Sequence, residues 1–144
     1  MKKVTIQYRV PYADTDQMQV VYYGNYLTYF ERSRNELLRE MGFSYKELEA
    51  MGCALPVKEA HVNYLLPAAY DDLLEITGWC ELFQGVRMKI CCEVRRGNQL
   101  LAKGYTLHAT CDIRTMRPMR PPQALRDAIA GQQIRQIGSC GNSS

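Results

Sequence analysis

The sequence predicts an α+β fold in which an antiparallel sheet wraps around one long helix. Apolar residues recur at helical spacing between about Gly24 and Met41, and they alternate with polar residues in the stretches on either side. The chain has 144 residues, about the size of one domain and too short for two ordinary ones. A sheet and a single main helix must bury their apolar faces against each other, which gives this fold class.

The first half of the chain predicts one strand and two helices. A strand comes first, because apolar and polar residues alternate from Val4 to Val10. The long helix follows, and one of its faces is formed by Tyr26, Phe30, Ser33, Leu37 and Met41. Ser33 is small, so we expect another element to approach the helix closely there. Gly42 is suited to end this helix, and a capping box from Ser44 to Glu47 begins a short second one.

The second half predicts four more strands, which we expect to form a meander. Alternation marks four stretches: 60–66, 74–80, 86–94 and 101–113. Two dipeptides between them, Gln84-Gly85 and Gly97-Asn98, have the composition of turns.

A last helix is expected near the C-terminus, where Pro122 is suited to open it. Ala128, Ile129 and Ile137 would form its apolar side. We predict a single domain over residues 1–138 and a disordered tail over residues 139–144.

Composition excludes several classes of protein. The formal net charge of +3 is too small to indicate a nucleic-acid or membrane surface. No stretch approaches the roughly 18 apolar residues of a membrane span, and no apolar run follows the basic N-terminus as in a signal peptide. The six cysteines include no CxxC pair and mostly lie in alternating apolar stretches, so we expect small buried side chains and no metal site. We expect a cytoplasmic protein without membrane insertion or nucleic-acid binding.

Positive charge is concentrated in one short segment of the chain. Residues 114–126 contain four arginines and no acidic residue before Asp127: Arg114, Arg117, Arg120 and Arg126. Such a segment either binds one anionic group or is a solvated linker.

The chemistry-bearing residues are few. The sequence has no GxSxG elbow, P-loop, GxGxxG or HExxH motif, and we assign no role to the single, distant His61 and His108. Asp14 and Asp16 precede an apolar segment that leads into the N-terminus of the long helix, where backbone N–H groups are free. These carboxylates either cap turns or take part in acyl hydrolysis, in which one group activates water or attacks while N–H donors hold the oxyanion.

The run from Tyr12 to Arg34, YADTDQMQVVYYGNYLTYFERSR, resembles the signature of the 4-hydroxybenzoyl-CoA thioesterase family of hotdog-fold acyl-CoA thioesterases. The resemblance continues through residues 62–68, the turn at residues 71–73 and Arg117-Pro118, and covers most of residues 4–125. It implies a hotdog fold, with a five-stranded antiparallel sheet around one long helix. It also implies hydrolysis of a small or medium acyl-CoA thioester to the free acid and coenzyme A.

The resemblance assigns roles to individual residues. Asp16 matches the family's catalytic aspartate, as general base or nucleophile, and Asp14 is expected to be structural. Tyr23 matches the position whose backbone N–H polarises the thioester carbonyl, and Gly24 is the next donor along the chain. The family usually has glycine where this chain has Gln19, so the conformation of that turn and the size of the acyl pocket are open.

Further expectations concern the substrate and the assembly. Arg117 and Arg120 are candidates to bind the phosphates of coenzyme A, because arginine binds phosphate in a bidentate manner. The resemblance implies a homodimer or homotetramer with its sites between subunits. No cofactor or metal is expected, since coenzyme A is part of the substrate. Two alternatives remain open: hydrolysis of acyl groups on acyl carrier protein, and a non-catalytic acyl-CoA binding protein of the same fold.

Overall fold

The computed structural model describes residues 2–133, which form seven strands and three α-helices. In chain order these are β1 (Val4–Arg9), α1 (Asn25–Glu40), α2 (Tyr45–Ala50), β2 (Cys53–Ala54), β3 (Val57–Tyr64), β4 (Leu73–Gln84), β5 (Arg87–Arg96), β6 (Gln99–Ala109), β7 (Cys111–Asp112) and α3 (Gln123–Gln133). A 3₁₀ turn, Tyr12–Asp14, lies between β1 and α1. The predicted tail over residues 139–144 and the predicted contact of Ile137 lie outside the described residues.

The main sheet has five antiparallel strands in the order β1-β4-β5-β6-β3. The predicted sheet around one helix is therefore confirmed, but the four-strand meander is wrong. Only β4, β5 and β6 follow one another as hairpins, and β3 pairs with β6 at the far edge. The reason is the connection between β3 and β4, residues 65–72, which lacks a tight hairpin turn and crosses three strand spacings, about 14 Å.

Helix α1 lies against the inner face of the sheet. The predicted apolar face is buried, including Ser33, which is 1% exposed. The close approach predicted at Ser33 is confirmed, because a Cβ placed on Gly78 of β4 would lie 2.5 Å from the Ser33 Oγ. The helix ends as predicted at Gly42, which has φ +95°. Its amide donates to Arg39 O and that of Phe43 to Leu38 O, the two bonds of a Schellman cap.

The two shorter helices close the other end of the core. Ser44 Oγ accepts from the Glu47 amide at 3.1 Å, so the predicted N-cap of α2 is confirmed. The last helix is also confirmed, because α3 begins directly after Pro122 and buries Leu125 and Ile129. These side chains pack with residues of α1, α2 and β5.

The structure also describes the cysteines and the helices in terms of environment. Four cysteines, at positions 53, 80, 92 and 111, are buried. In the part of the chain that is described, no helix is both long enough and apolar enough to cross a membrane.

Strand β3 is unusually exposed for a strand in a sheet that covers a helix. It lies at one edge of the sheet, and seven of its eight residues are exposed, with only Val62 half-buried. Its outer edge leaves backbone N–H and C=O groups without a strand partner among residues 2–133.

Candidate active site

The loop between β1 and α1 folds back on itself and contains both acidic residues of the motif. The Asp16 amide donates to Val20 O at 3.0 Å, and the Tyr22 amide donates to Asp14 O at 3.0 Å. The Gln19 amide closes the turn on Asp16 O at 2.9 Å. The two arms of the loop therefore pair like a short hairpin, which holds Asp16 on the same rigid unit as the start of α1.

Asp14 is the anchor of this loop. Its Oδ2 accepts the hydroxyl of Tyr8 at 2.6 Å and that of Tyr29 at 2.8 Å. Its backbone oxygen also accepts the side-chain amide of Asn25 at 2.8 Å. Burial, followed by the bond to the Asp14 carboxylate, raises the pKa of Tyr8 to about 12 and also raises the pKa of Tyr29, so both phenols stay protonated donors. These contacts agree with the structural role expected for Asp14.

Asp16 has a different environment. Its side chain is exposed, and its Oδ1 accepts only the amide of Met18, at 2.9 Å. Among residues 2–133, no hydrogen bond reaches its Oδ2. One carboxylate oxygen thus fixes the rotamer through an Asx turn, and the other is available to a substrate or a water molecule.

Gln19 has a backbone conformation that favours glycine. Its φ is +62°, in the left-handed region. Its carbonyl accepts the amide of Tyr70 at 3.1 Å, and the next residue, Val20, forms a bridge with Ala69. The turn therefore holds Gln19 in a conformation that side chains other than glycine disfavour.

The backbone N–H groups of Tyr23 and Gly24 meet no acceptor among the described residues. Gly24 is the N-cap of α1, with φ −64° and ψ −22°, and the Asn25 amide after it already donates to Tyr22 O at 2.9 Å. The side chain of Tyr23 is 63% exposed. Free donors at a helix N-terminus, where the helix dipole is positive, suit a developing negative charge.

A pocket of about 290 Å³ lies beside these donors. It is lined by Val21, Tyr23, Tyr26, Tyr64, Leu65, Leu66 and Pro67. Tyr64, at the end of β3, donates its hydroxyl to Tyr23 O at 3.0 Å, and its ring packs edge-on against that of Tyr26. Sequence reasoning missed this contact, because its partners are 41 residues apart and Tyr64 stood only as one strand residue in the family-like stretch.

Arg117 and Arg120 are exposed and lie at the other end of the sheet from Asp16 within one chain. Tyr64, next to Tyr23, pairs with Ala102 near the start of β6, whereas Val57 pairs with His108 near its end. The arginine segment follows that end of β6, where the Asp112 amide donates to Arg117 O at 2.8 Å. One chain alone therefore does not bring these arginines to Asp16.

The histidines are remote from the loop, and no metal cluster is present in residues 2–133. His61 is exposed on β3, where its ring stacks on Tyr105. His108 is 2% exposed and bonds to Thr106 Oγ1 at 2.8 Å and Leu55 O at 3.0 Å. Over the same described range, no group of three or more His, Cys, Asp or Glu side chains is arranged to hold a metal ion.

The comparisons with known proteins agree with this fold. A family model described as the thioesterase-like superfamily matches residues 10–129. The acyl-CoA thioester hydrolase YbgC of Escherichia coli O6:H1 is 35% identical over 118 residues, which cover 81% of this chain and 88% of that one. The acyl-CoA thioesterase YbgC of Haemophilus influenzae is 33% identical over 122 residues, covering 84% and 90% of the two chains.

A solved structure, the DHNA-CoA thioesterase of Staphylococcus aureus, superimposes with a TM-score of 0.85 at 27% identity. The match covers 96% of this chain and 98% of that one. The chain therefore belongs to the thioesterase-like superfamily, and its fold is the hotdog fold of these thioester hydrolases.

Proposed function

We propose that this protein hydrolyses acyl-CoA thioesters, with Asp16 as the reacting carboxylate and the N–H groups of Tyr23 and Gly24 as the oxyanion donors. The observation that carries the proposal is the pair of free N–H groups at the start of α1, on the same folded loop as a carboxylate with one unoccupied oxygen. The names of the relatives, which are acyl-CoA thioester hydrolases, support the choice of substrate class.

The chemistry is hydrolysis of a carbon–sulfur bond. A water oxygen attacks the thioester carbonyl carbon while Asp16 accepts its proton, or Asp16 attacks directly and water then hydrolyses the resulting anhydride. In both routes the carbonyl oxygen becomes an oxyanion that the helix-end N–H groups stabilise, and coenzyme A leaves as a thiolate. Removal of one such donor typically costs about 10²–10³ in kcat, so the pair accounts for a large share of the rate enhancement.

The acyl group is proposed to occupy the pocket beside Tyr23. Its volume of about 290 Å³ is at the small end of ligand pockets, and its walls are aromatic and aliphatic. These properties favour a short or medium acyl chain, or a single aromatic ring, over a long fatty acyl chain.

The working site is proposed to form between two copies of the chain. Because β3 is an exposed edge, two copies related by a twofold axis can pair their β3 strands in antiparallel orientation. Such pairing sets the Tyr64 end of one strand beside the Val57 end of the other. Arg117 and Arg120 of the second copy then approach the Asp16 loop of the first, where they would bind coenzyme A phosphates.

The test is release of free thiol from a panel of acyl-CoA esters of increasing chain length, with Asp16→Asn as the paired variant. Asn can still accept the Met18 amide through its Oδ1, so the turn should persist while the reacting carboxylate is lost. We expect turnover by the wild-type protein and at least a hundredfold lower kcat in Asp16→Asn.

Three results would count against the proposal. No turnover of any ester, together with tight coenzyme A binding, favours a non-catalytic acyl-CoA binding protein. Higher kcat/KM on acyl carrier protein esters favours that carrier as the substrate. A folded Asp16→Asn variant with near wild-type kcat removes the assigned role of Asp16. The cytoplasmic location expected from the sequence stays a prediction.

A further inference from the structure

The hydroxyl of Tyr64 binds the peptide group that connects Tyr23 to Gly24. It donates to Tyr23 O at 3.0 Å, and the same oxygen accepts the Tyr26 amide at 3.3 Å as the first turn of α1 begins. The ring of Tyr64 is held in place by edge-on contacts with the rings of Tyr23 and Tyr26, at 6.3 Å and 5.2 Å between centroids. A side chain from the edge strand is thus hydrogen-bonded to, and packed against, the residues at the start of the central helix.

That bond also sets the direction of the Gly24 N–H. The carbonyl of Tyr23 and the amide of Gly24 belong to one planar trans peptide, so fixing the oxygen fixes the N–H on the opposite side. A carbonyl that accepts two hydrogen bonds polarises its peptide, and the N–H becomes a stronger donor. The Gly24 N–H has no acceptor among the described residues, so it is available to a substrate atom.

We propose that Tyr64 is a positioning residue that aligns and strengthens the Gly24 N–H as an oxyanion donor. The inference rests on the proposed function, because it assigns the Gly24 N–H to the developing oxyanion of the thioester. Tyr64 acts through this peptide and touches no reacting atom. Its ring has a separate role as a wall of the acyl pocket.

The two roles of Tyr64 separate in kinetics. Tyr64→Phe removes only the hydroxyl, so kcat is expected to fall about tenfold while KM stays within twofold of wild type. Tyr64→Ala removes the ring as well and raises KM in addition. Tyr105→Phe is the matched control, since Tyr105 lies in β6, away from the pocket, with its ring against His61 and Lys89.

Gly24 allows a direct test of the route by which Tyr64 acts. Its φ of −64° is the value that proline requires, so Gly24→Pro removes the N–H without changing that angle. Because proline disfavours a helical conformation in the residue before it, circular dichroism and urea unfolding must first show that Gly24→Pro is folded. Gly24→Ala is the control, because it adds the same Cβ, 2.9 Å from Cε2 of the half-exposed Tyr22 ring, which must shift, but it keeps the N–H. We expect Gly24→Pro to lower kcat by about 10²-fold relative to Gly24→Ala.

The double variant decides the inference. In the Gly24→Pro background, Tyr64→Phe is expected to change kcat less than twofold, because the group through which Tyr64 acts is already gone. A tenfold further loss in that background, unchanged kcat in Tyr64→Phe alone, or a change in KM without a change in kcat would each overturn it.

A spectroscopic measurement keeps this test separate from the proposed function. In Tyr64→Phe, the ¹⁵N resonance of Gly24 is expected to shift more than that of Tyr23, whereas in Tyr105→Phe neither should shift. No thiol release by the wild-type protein would defeat the proposed function. An unchanged Gly24 resonance in Tyr64→Phe would contradict the effect of the Tyr64 hydroxyl on this peptide, whether or not the protein turns over an ester.

Discussion

Asp14 and Asp16 are separated by a single residue, yet their carboxylates have opposite surroundings. Asp14 Oδ2 accepts two phenol hydroxyls, from β1 and α1, whereas in the described part of the chain the Asp16 carboxylate accepts one hydrogen bond, from the amide of Met18. In a regular strand, the side chains at positions 14 and 16 would point to the same face. Here the chain is not a strand, and the two residues lie on different parts of a folded loop. The Asp14 carboxylate therefore holds the loop, and the Asp16 carboxylate keeps one oxygen without a hydrogen bond among the described residues.

This division predicts different effects of the same substitution at the two positions. Asp14→Asn weakens two charge-assisted hydrogen bonds, so the free energy of unfolding is expected to fall by about 1–3 kcal/mol. Asp16→Asn should change it by less than about 0.5 kcal/mol, because the side chain is exposed and its turn persists. Urea unfolding of the two variants measures the difference, and equal losses would contradict the assignment of Asp14 as the anchor.

The proposed site between two copies predicts complementation between two impaired variants. Asp16→Asn lacks the proposed reacting carboxylate, and the double variant Arg117→Ala/Arg120→Ala lacks the proposed phosphate contacts. A hybrid dimer of the two has one site that combines an intact Asp16 with the intact arginines of its partner. Mixing after mild dissociation should therefore restore thiol release at low substrate concentration.

The unmixed proteins are the controls, together with a mixture of wild type and Asp16→Asn. If the arginines served Asp16 of their own chain, no hybrid would contain a complete site. The rate would then stay at the sum of the two separate variants.

Gln19 predicts a gain in stability on substitution by glycine. A side chain in the left-handed region costs roughly 1–2 kcal/mol, and glycine loses about 0.5–1 kcal/mol more chain entropy on folding. Gln19→Gly should therefore stabilise the protein slightly, by about 0.5 kcal/mol. Gln19→Val should destabilise it by more than about 1 kcal/mol, because a β-branched residue resists this conformation. Thermal unfolding measures both, and a lower Tm for Gln19→Gly would contradict the prediction.

His108 predicts a loss of stability in mild acid. Burial lowers the pKa of His108 from 6.5 to about 4, and the nearby positive charge of the Arg34 guanidinium lowers it further by repelling the protonated ring. Below pH 6.5 the unfolded chain binds a proton that the folded protein does not bind until about pH 4. The free energy of unfolding therefore falls as pH drops through this window, by at most about 1.4 kcal/mol per pH unit from this group.

The pH effect is checked by urea unfolding at several pH values between 7 and 4. His108→Gln should flatten the slope. A wild-type slope in His108→Gln would assign the effect to other groups.

Periodicity predicted the parts of the fold that bury a repeating face. Helix α1 repeats its apolar residues about every 3.6 positions and the long strands about every 2, so the local pattern was sufficient to predict these elements. The two hairpin turns were predicted from their dipeptide composition. Strand β2 has two residues and no measurable period, so it was absent from the prediction, and β7 was predicted only as the end of one strand over residues 101–113. The placement of β3 next to β6 was also missed, because pairing across the sheet depends on the path of residues 65–72 and not on alternation.

The site divides in the same way. The motif around Asp16 and Tyr23 was visible because its residues are adjacent in sequence. Other contacts are hydrogen bonds from tyrosine hydroxyls, whose direction only the fold determines. Tyr64 donates to Tyr23 O, and Tyr8 and Tyr29 donate to Asp14 Oδ2. Tyrosine in an apolar pattern predicts burial of the ring and says nothing of the partner of its oxygen.

The proposed pairing through β3 makes protein concentration a variable in assays of this chain. In the proposed dimer, the edge of β3 that faces away from β6 exchanges its bonds to water for bonds to a second copy, and this contact depends on concentration. We therefore expect specific activity to fall when the protein is diluted below the dissociation constant of the pair. Saturating substrate should restore it, because a ligand that bridges two chains also holds them together.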